Sequence, residues 1–126
     1  MPTERATGQP PFLDPGSATI DDFDRLDLRV GRILTAAPLE GARRPAYRLE
    51  IDFGASGRRR SSAQLTDTYP DPAQLVGRLI VAVVNLPPRK VAGFRSEVLV
   101  LGALAPDGAI PLLSVDDGAA PGQRIG

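Results

Sequence analysis

The densest chemistry in this chain is cationic. Arg58, Arg59 and Arg60 stand in a row, Arg43 and Arg44 form a pair, and Arg89 with Lys90 follows two prolines. A guanidinium presents a planar fork of N–H donors that matches phosphate, so clustered arginines point to a polyanion-binding surface. Arg29, Arg32 and Arg95 would extend that surface. Ser61, Ser62, Gln64, Asn85 and Ser96 are neutral groups that can hydrogen-bond phosphate, ribose or a peptide backbone, and equally can satisfy buried main chain. For the arginine triplet the structural alternative is an edge strand kept soluble by charge. Alternation places Arg58 and Arg60 on one face and Arg59 on the other.

What is missing narrows the chemistry further. The chain has no Cys and no His. Thiolate nucleophiles, imidazole bases, Ser-His-Asp arrangements and Cys/His metal sets are therefore excluded. Neither the G-x-x-x-x-G-K-[ST] nor the G-x-G-x-x-G phosphate loop occurs. An enzyme would have to work on carboxylates such as Asp52 or Glu97, so the expectation is no catalysis, no metal and no cofactor. Aromatic residues make up 5% and Trp is absent. Phe23, Phe53 and Tyr47 read as core, which leaves Tyr69, Phe94 and Phe12 for stacking. So few platforms favour recognition of backbone and shape over single-strand reading.

The 126 residues carry 15 basic and 15 acidic groups, a formal charge of zero. The charge is segregated, however. Residues 1–28 hold two basic and six acidic groups, residues 43–95 ten and four, and residues 96–126 one and four. A basic middle between acidic ends keeps a polyanion partner open. The length fits one domain. Residues 1–18 are rich in Pro and Gly and read as a flexible extension, with the domain proper at 19–126. Their lack of an apolar run speaks against a signal peptide, no stretch is long enough to cross a membrane, and a cytoplasmic location is expected.

The elements that must position these groups are short. Thr19 caps a brief helix whose Phe23 and Leu26 would face inward. A strand begins at Leu28, and its apolar parity switches at Gly31, which suggests a bulge there. Tyr47, Leu49, Ile51 and Phe53 alternate with Arg48, Glu50 and Asp52 in a half-buried strand. After a turn at Gly54–Gly57, the arginine triplet returns as its hairpin partner. Asp71, Pro72 and Gly77 delimit a helix of one or two turns. Leu79–Val84 is a central buried strand, Asn85–Lys90 a rigid turn, and Val98–Leu101 and Ile110–Val115 are further strands. This predicts an all-β OB-fold, a five-stranded Greek-key barrel with a short helix between strands 3 and 4, plus N- and C-terminal extensions.

Several stretches also carry a family likeness. They are Asp27-Leu28-Arg29-Val30-Gly31-Arg32-Ile33, Ala42-Arg43-Arg44-Pro45-Ala46-Tyr47 and Ile51-Asp52-Phe53-Gly54. Three more are Ser61-Ser62-Ala63-Gln64-Leu65-Thr66, Val81-Ala82-Val83-Val84-Asn85-Leu86-Pro87-Pro88-Arg89 and Phe94-Arg95-Ser96-Glu97-Val98-Leu99-Val100-Leu101-Gly102. In order and spacing the chain resembles the tRNA-binding-domain family. The Ser-Ser-Ala-Gln and Ser-Glu-Val-Leu-Val-Leu-Gly runs place the likeness nearest its CsaA-type export-related chaperones. The resemblance implies an OB barrel, a homodimer, no catalysis and no membrane insertion. It implies two ligand classes, structured RNA of the tRNA type and unfolded or export-bound polypeptide. The alternative is a purely peptide-binding secretion chaperone. The RNA-facing candidates are Arg29, Arg32, Arg43, Arg44, Arg58, Arg60, Ser61, Ser62, Gln64, Asn85, Arg89, Lys90, Arg95 and Ser96. Leu86, Val91 and Phe94 could line a peptide groove or be buried at a dimer interface.

Overall fold

The alternating stretch behaves as its period requires. In strand β2 (Tyr47–Asp52), Tyr47, Leu49 and Ile51 are buried and Arg48 is exposed. β2 pairs antiparallel with β1 (Leu28–Pro38) on one edge and with β3 (Arg58–Ala63) on the other. The computed structural model, which describes residues 9–126, adds β4 (Leu79–Val83), a hairpin of β5 (Arg89–Val91) and β6 (Phe94–Ser96), and β7 (Leu99–Val100). The main sheet runs β3-β2-β1-β4-β7. A fourth strand returning beside the first is the Greek-key order. All five residues of β4 are buried, as its unbroken apolar run demands. The result is the expected all-β, nearly closed five-stranded antiparallel barrel of OB type.

Side chains complete the closure where the ladder does not. The free edge of β3 meets residues 96–98: Glu97 N–H donates to Arg60 O at 2.8 Å, and Arg60 N–H donates to Glu97 Oε1 at 2.9 Å. Ser62 N–H donates to Ser96 Oγ at 2.9 Å, and Ser61 Oγ–H reaches Val98 O at 3.1 Å. These four bonds join β3 to residues 96–98 without a continuous strand pair. Inside, Ile33, Leu49, Ile51, Phe53, Leu75 and Ile80 form the core. Tyr47 donates its hydroxyl to Tyr69 O at 2.7 Å, tying the loop after β3 to the barrel.

Several expectations are corrected. Thr19 does cap a helix, α1 (Ile20–Asp24), in a reciprocal capping box with Asp22, but α1 buries nothing. Phe23 is 36% and Leu26 40% exposed. The helix is held by polar ties instead: Asn85 Nδ2 donates to Arg25 O and Arg124 Nη2 to Asp24 O. The register shift in β1 falls between Ile33 and Thr35, past Gly31. Gly31 has a different cause. A Cβ there would stand 2.6 Å from Ile51 Cγ2 and 2.8 Å from Phe53 Cε1, so the core approaches the bare backbone. The helix after β3 is a single 3-10 turn, Pro72–Gln74, capped by Asp71. Strand structure near Val98–Leu101 is limited to β7, and Ile110–Val115 forms no strand, making just the isolated Leu112–Gly102 and Ser114–Ile80 bridges while Ile110 and Leu112 pack against the core. The chain after Pro87-Pro88 forms the unforeseen β5–β6 hairpin. Its two-residue turn, Ala92 at φ 51° and Gly93 at φ 79°, is left-handed throughout, which matches strand twist. Residues 1–8 of the expected extension lie outside the described residues, and residues 9–19 contain no helix or strand.

Gly31→Ala is expected to destabilise the fold by about 1–3 kcal/mol through overpacking against Ile51 and Phe53. Gly118→Ala, where nothing lies within 4 Å, should change little. Denaturant unfolding of the two variants checks the contrast.

Candidate nucleic-acid interface

A groove of about 840 Å³ lies where the β1–β2 loop, the end of β3 and the β5–β6 hairpin converge. Arg43 and Arg44 enter it from the loop, Arg89 and Val91 from β5, and Ser62 and Gln64 from β3 and the residues after it. Leu99, Leu104, Ile110 and Leu112 give it an apolar floor. The loop is shaped locally. Gly41 takes φ +81°, and Leu39 N–H donates to Ala46 O at 2.9 Å, pinning its base so that both arginines project. Pro87 and Pro88 fix the approach to Arg89.

Partners sort the cations. Arg29 donates Nε to Asp27 Oδ1 at 2.6 Å and Nη1 to Gly122 O at 3.0 Å. Arg32 donates to Gly77 O, Arg59 to Arg58 O, Arg78 to Gln74 O and Arg124 to Asp24 O. Arg58 lies 3.7 Å from Glu50, and Arg95 lies 3.8 Å from Glu97. Among the described residues, the side chains of Arg25, Arg43, Arg44, Arg48, Arg60, Arg89 and Lys90 make no hydrogen bond or ion pair within the chain. Of these, Arg43, Arg44 and Arg89 line the groove, Arg60 and Lys90 stand outside its lining on β3 and β5, and Arg48 stands on β2, across the ladder from Ser62. Every cation that lines the groove is therefore free, while the spent Arg58, Arg59 and Arg95 lie outside its lining on β3 and β6.

The structure brings together Arg43, Arg44, Ser62, Gln64, Arg89 and Val91 from the residues singled out by sequence. It holds others in structural contacts. Ser61 is fully buried, and Ser96 is buried on the seam. Asn85 accepts from Asp27 N–H and donates to Arg25 O. Arg32 sits in a second hollow of about 430 Å³ with Arg78 and Asp117. Leu86 is 38% exposed and does not line the groove, while Phe94 lies under Arg60, 4.9 Å from guanidinium carbon to ring centroid. Sequence reasoning passed over Arg48, which stands directly across the ladder from Ser62. The signal was there, since Arg48 occupies an outward position of the alternating strand. The carboxylates considered for catalysis are engaged as well: Asp52 accepts from Gly54 N–H and Glu97 from Arg60 N–H. Among the described residues there is no cluster of metal-ligating side chains and no helix long and apolar enough to cross a membrane.

A Greek-key barrel of this strand order is of the OB class, a fold whose loops and barrel face serve as a binding surface in many proteins. Residues 28–124 match the family model tRNA_bind, "Putative tRNA binding domain", and the chain belongs to that family. Chaperone CsaA of Bacillus anthracis is similar in structure, with TM-score 0.82 and 49% identity, covering 88% of this chain and 100% of that one. The CsaA chaperone protein of Picrophilus torridus follows at TM-score 0.80 and 45% identity, covering 86% and 99%. Methionine–tRNA ligase of Neisseria meningitidis serogroup B is 41% identical over 110 residues. That match takes in 86% of this chain and only 16% of the ligase, so this chain is a small fraction of the ligase's length.

The Asp27–Arg29 contact lies at the edge of the matched segment and joins the start of β1 to the C-terminal tail through Gly122. The hydrogen bond from Arg29 holds the Asp27 carboxyl below its ordinary value of 3.8, and the charges of Arg29 and Arg124 act the same way against burial. A carboxyl whose pKa is lowered on folding contributes stability above its unfolded pKa and loses it as pH falls through the folded value. Asp27→Asn is therefore expected to be less stable than the parent chain at pH 7. The difference should shrink as pH drops below about 4, as followed by thermal melts across pH.

Proposed function

We propose that this chain is a non-catalytic, homodimeric binding protein that holds structured RNA of the tRNA type in the arginine-rimmed groove. The observation that carries the reading is the sorting of cations. Arg43, Arg44 and Arg89 line one groove with no hydrogen bond or ion pair, and Arg48, Arg60 and Lys90 are likewise unpaired on nearby strands, while the other arginines of the barrel are spent on backbone and carboxylates. Unspent guanidinium groups near a loop of fixed shape bind phosphate with little reorganisation. Membership of the tRNA-binding domain family supports the same ligand. In this reading residues 19–126 are the binding domain, residues 1–18 an extension hung from it, and the site of action the cytoplasm.

A second reading, binding of unfolded or export-bound polypeptide, is favoured by one specific feature. The groove floor is apolar, with Leu104 77% and Leu99 46% exposed, and phosphate has no use for such a surface. The likeness to two CsaA chaperones supports it. Both ligands would then share the groove and compete.

Bulk tRNA should shift with the protein in a gel at low salt. If three to six phosphates are contacted, affinity should fall between about 30-fold and 10³-fold from 50 to 200 mM salt. Replacing Arg43, Arg44 and Arg89 together by Gln should flatten that dependence and leave the melting temperature unchanged. No binding at low salt, or binding indifferent to salt, contradicts the RNA reading. Sedimentation of the full chain is expected to give a dimer. A denatured model protein should be kept from aggregating, with tRNA relieving the protection.

A further inference from the structure

Arg60 differs from every other arginine of the arginine-rich strand. Its backbone is fixed in both directions, with N–H donating to Glu97 Oε1 at 2.9 Å and O accepting from Glu97 N–H at 2.8 Å. Its side chain makes no ion pair or hydrogen bond among the described residues. The guanidinium instead lies over the Phe94 ring at 4.9 Å. Phe94 is half-buried and held by the left-handed turn at Ala92 and Gly93. The guanidinium is thus placed over the ring, and the side chain as a whole remains exposed to solvent. The other such pair among the described residues serves a different end. Arg78 lies 4.8 Å over Tyr69, but its Nε is bound to Gln74 O, and Tyr69 is buried with its hydroxyl accepting from Leu112 N–H. There the ring is part of the core and the guanidinium is tied to backbone, whereas Phe94 is only half-buried and Arg60 is untied. The Arg60–Phe94 pair lies just outside the groove lining. Ser62, the next outward residue of β3, and Val91, the ladder partner of Phe94, both line the groove.

We infer that Arg60 and Phe94 form a stacking platform for an unpaired nucleobase of the RNA bound in the groove. A planar guanidinium backed by an aromatic ring offers a flat cationic face, and bases stack on such faces regardless of sequence. The unused N–H donors at its edge are left for the adjoining phosphate. The inference rests on the RNA reading and adds to it. The phosphate contacts hold any folded RNA, while the platform selects RNA that can offer a base out of its stack.

The test compares a blunt RNA duplex with a hairpin of the same stem carrying 2-aminopurine in an unpaired loop, both titrated into the full chain. Wild-type protein is expected to bind the hairpin about 5- to 50-fold more tightly than the duplex and to change the 2-aminopurine fluorescence. Arg60→Lys keeps the charge and removes the flat face. It should abolish the hairpin preference and the fluorescence change, with the loss of affinity for the hairpin exceeding any loss for the duplex. Phe94→Leu, checked for an unchanged melting profile, should do the same. Duplex and hairpin bound equally by wild type, or Arg60→Lys weakening both alike, overturns the platform and leaves the RNA reading standing. Binding of neither RNA overturns both. A platform that serves instead for an aromatic side chain of a peptide would show as loss of peptide binding in Arg60→Lys with the hairpin preference intact, which also overturns the inference.

Discussion

A strand that carries three arginines and two serines cannot be held by burial, and the molecule depends on how that strand is held. β3 is fixed by hydrogen bonds on both edges. β2 supplies one full antiparallel ladder, and on the other side residues 96–98 supply a seam made partly of side chains. The Glu97 carboxylate and the Ser96 hydroxyl accept backbone N–H groups that would otherwise be left at an open edge, where unpaired groups invite association. The same contacts set the outward face of β3 against the hairpin. The groove and the Arg60–Phe94 stack exist because the seam is closed in this way.

Closure also decides which charges remain for a ligand. The acidic groups of a chain with zero formal charge are not spread evenly over its cations. Asp27 and Glu50 engage Arg29 and Arg58, and backbone carbonyls take Arg32, Arg59, Arg78 and Arg124. These pairs are exposed or half-exposed, so each adds little stability by itself. Their larger effect is to quiet the charge over much of the barrel. What remains is a local field at the groove, above a floor of leucine and isoleucine. A surface of that kind can hold phosphate at its rim and apolar groups at its base, which is why the two ligand readings meet at one place.

Much of this was legible in the sequence where a periodic pattern met burial. Tyr47–Phe53 showed its two faces, Leu79–Val84 its central position, and Asp71-Pro72 its cap and first helical residue. The failures share a cause. Phe23 and Leu26 had helical spacing, but α1 is tied by Asn85 and Arg124 rather than packed, and no local pattern reports a polar tie across 60 or 100 residues. The β5–β6 hairpin turns on Ala92-Gly93, which lacks the usual Asn-Gly signature. Gly31 looked like a bulge because a parity change and a close backbone approach leave the same mark. In the candidate site, residue type pointed to the loop arginines. It could not separate free arginines from spent ones, nor a serine on the groove from one on the seam, because those differences lie in contacts between distant strands.

The central claim is that ligand is taken by the arginines the fold leaves free. The most direct measurement follows the arginine side-chain Nε–H signals of the full chain by NMR during titration with bulk tRNA. The account predicts that Arg43, Arg44, Arg48, Arg60 and Arg89 shift or broaden together, while Arg29, Arg32 and Arg124 stay in place. Movement of the second set with the first unchanged would contradict it.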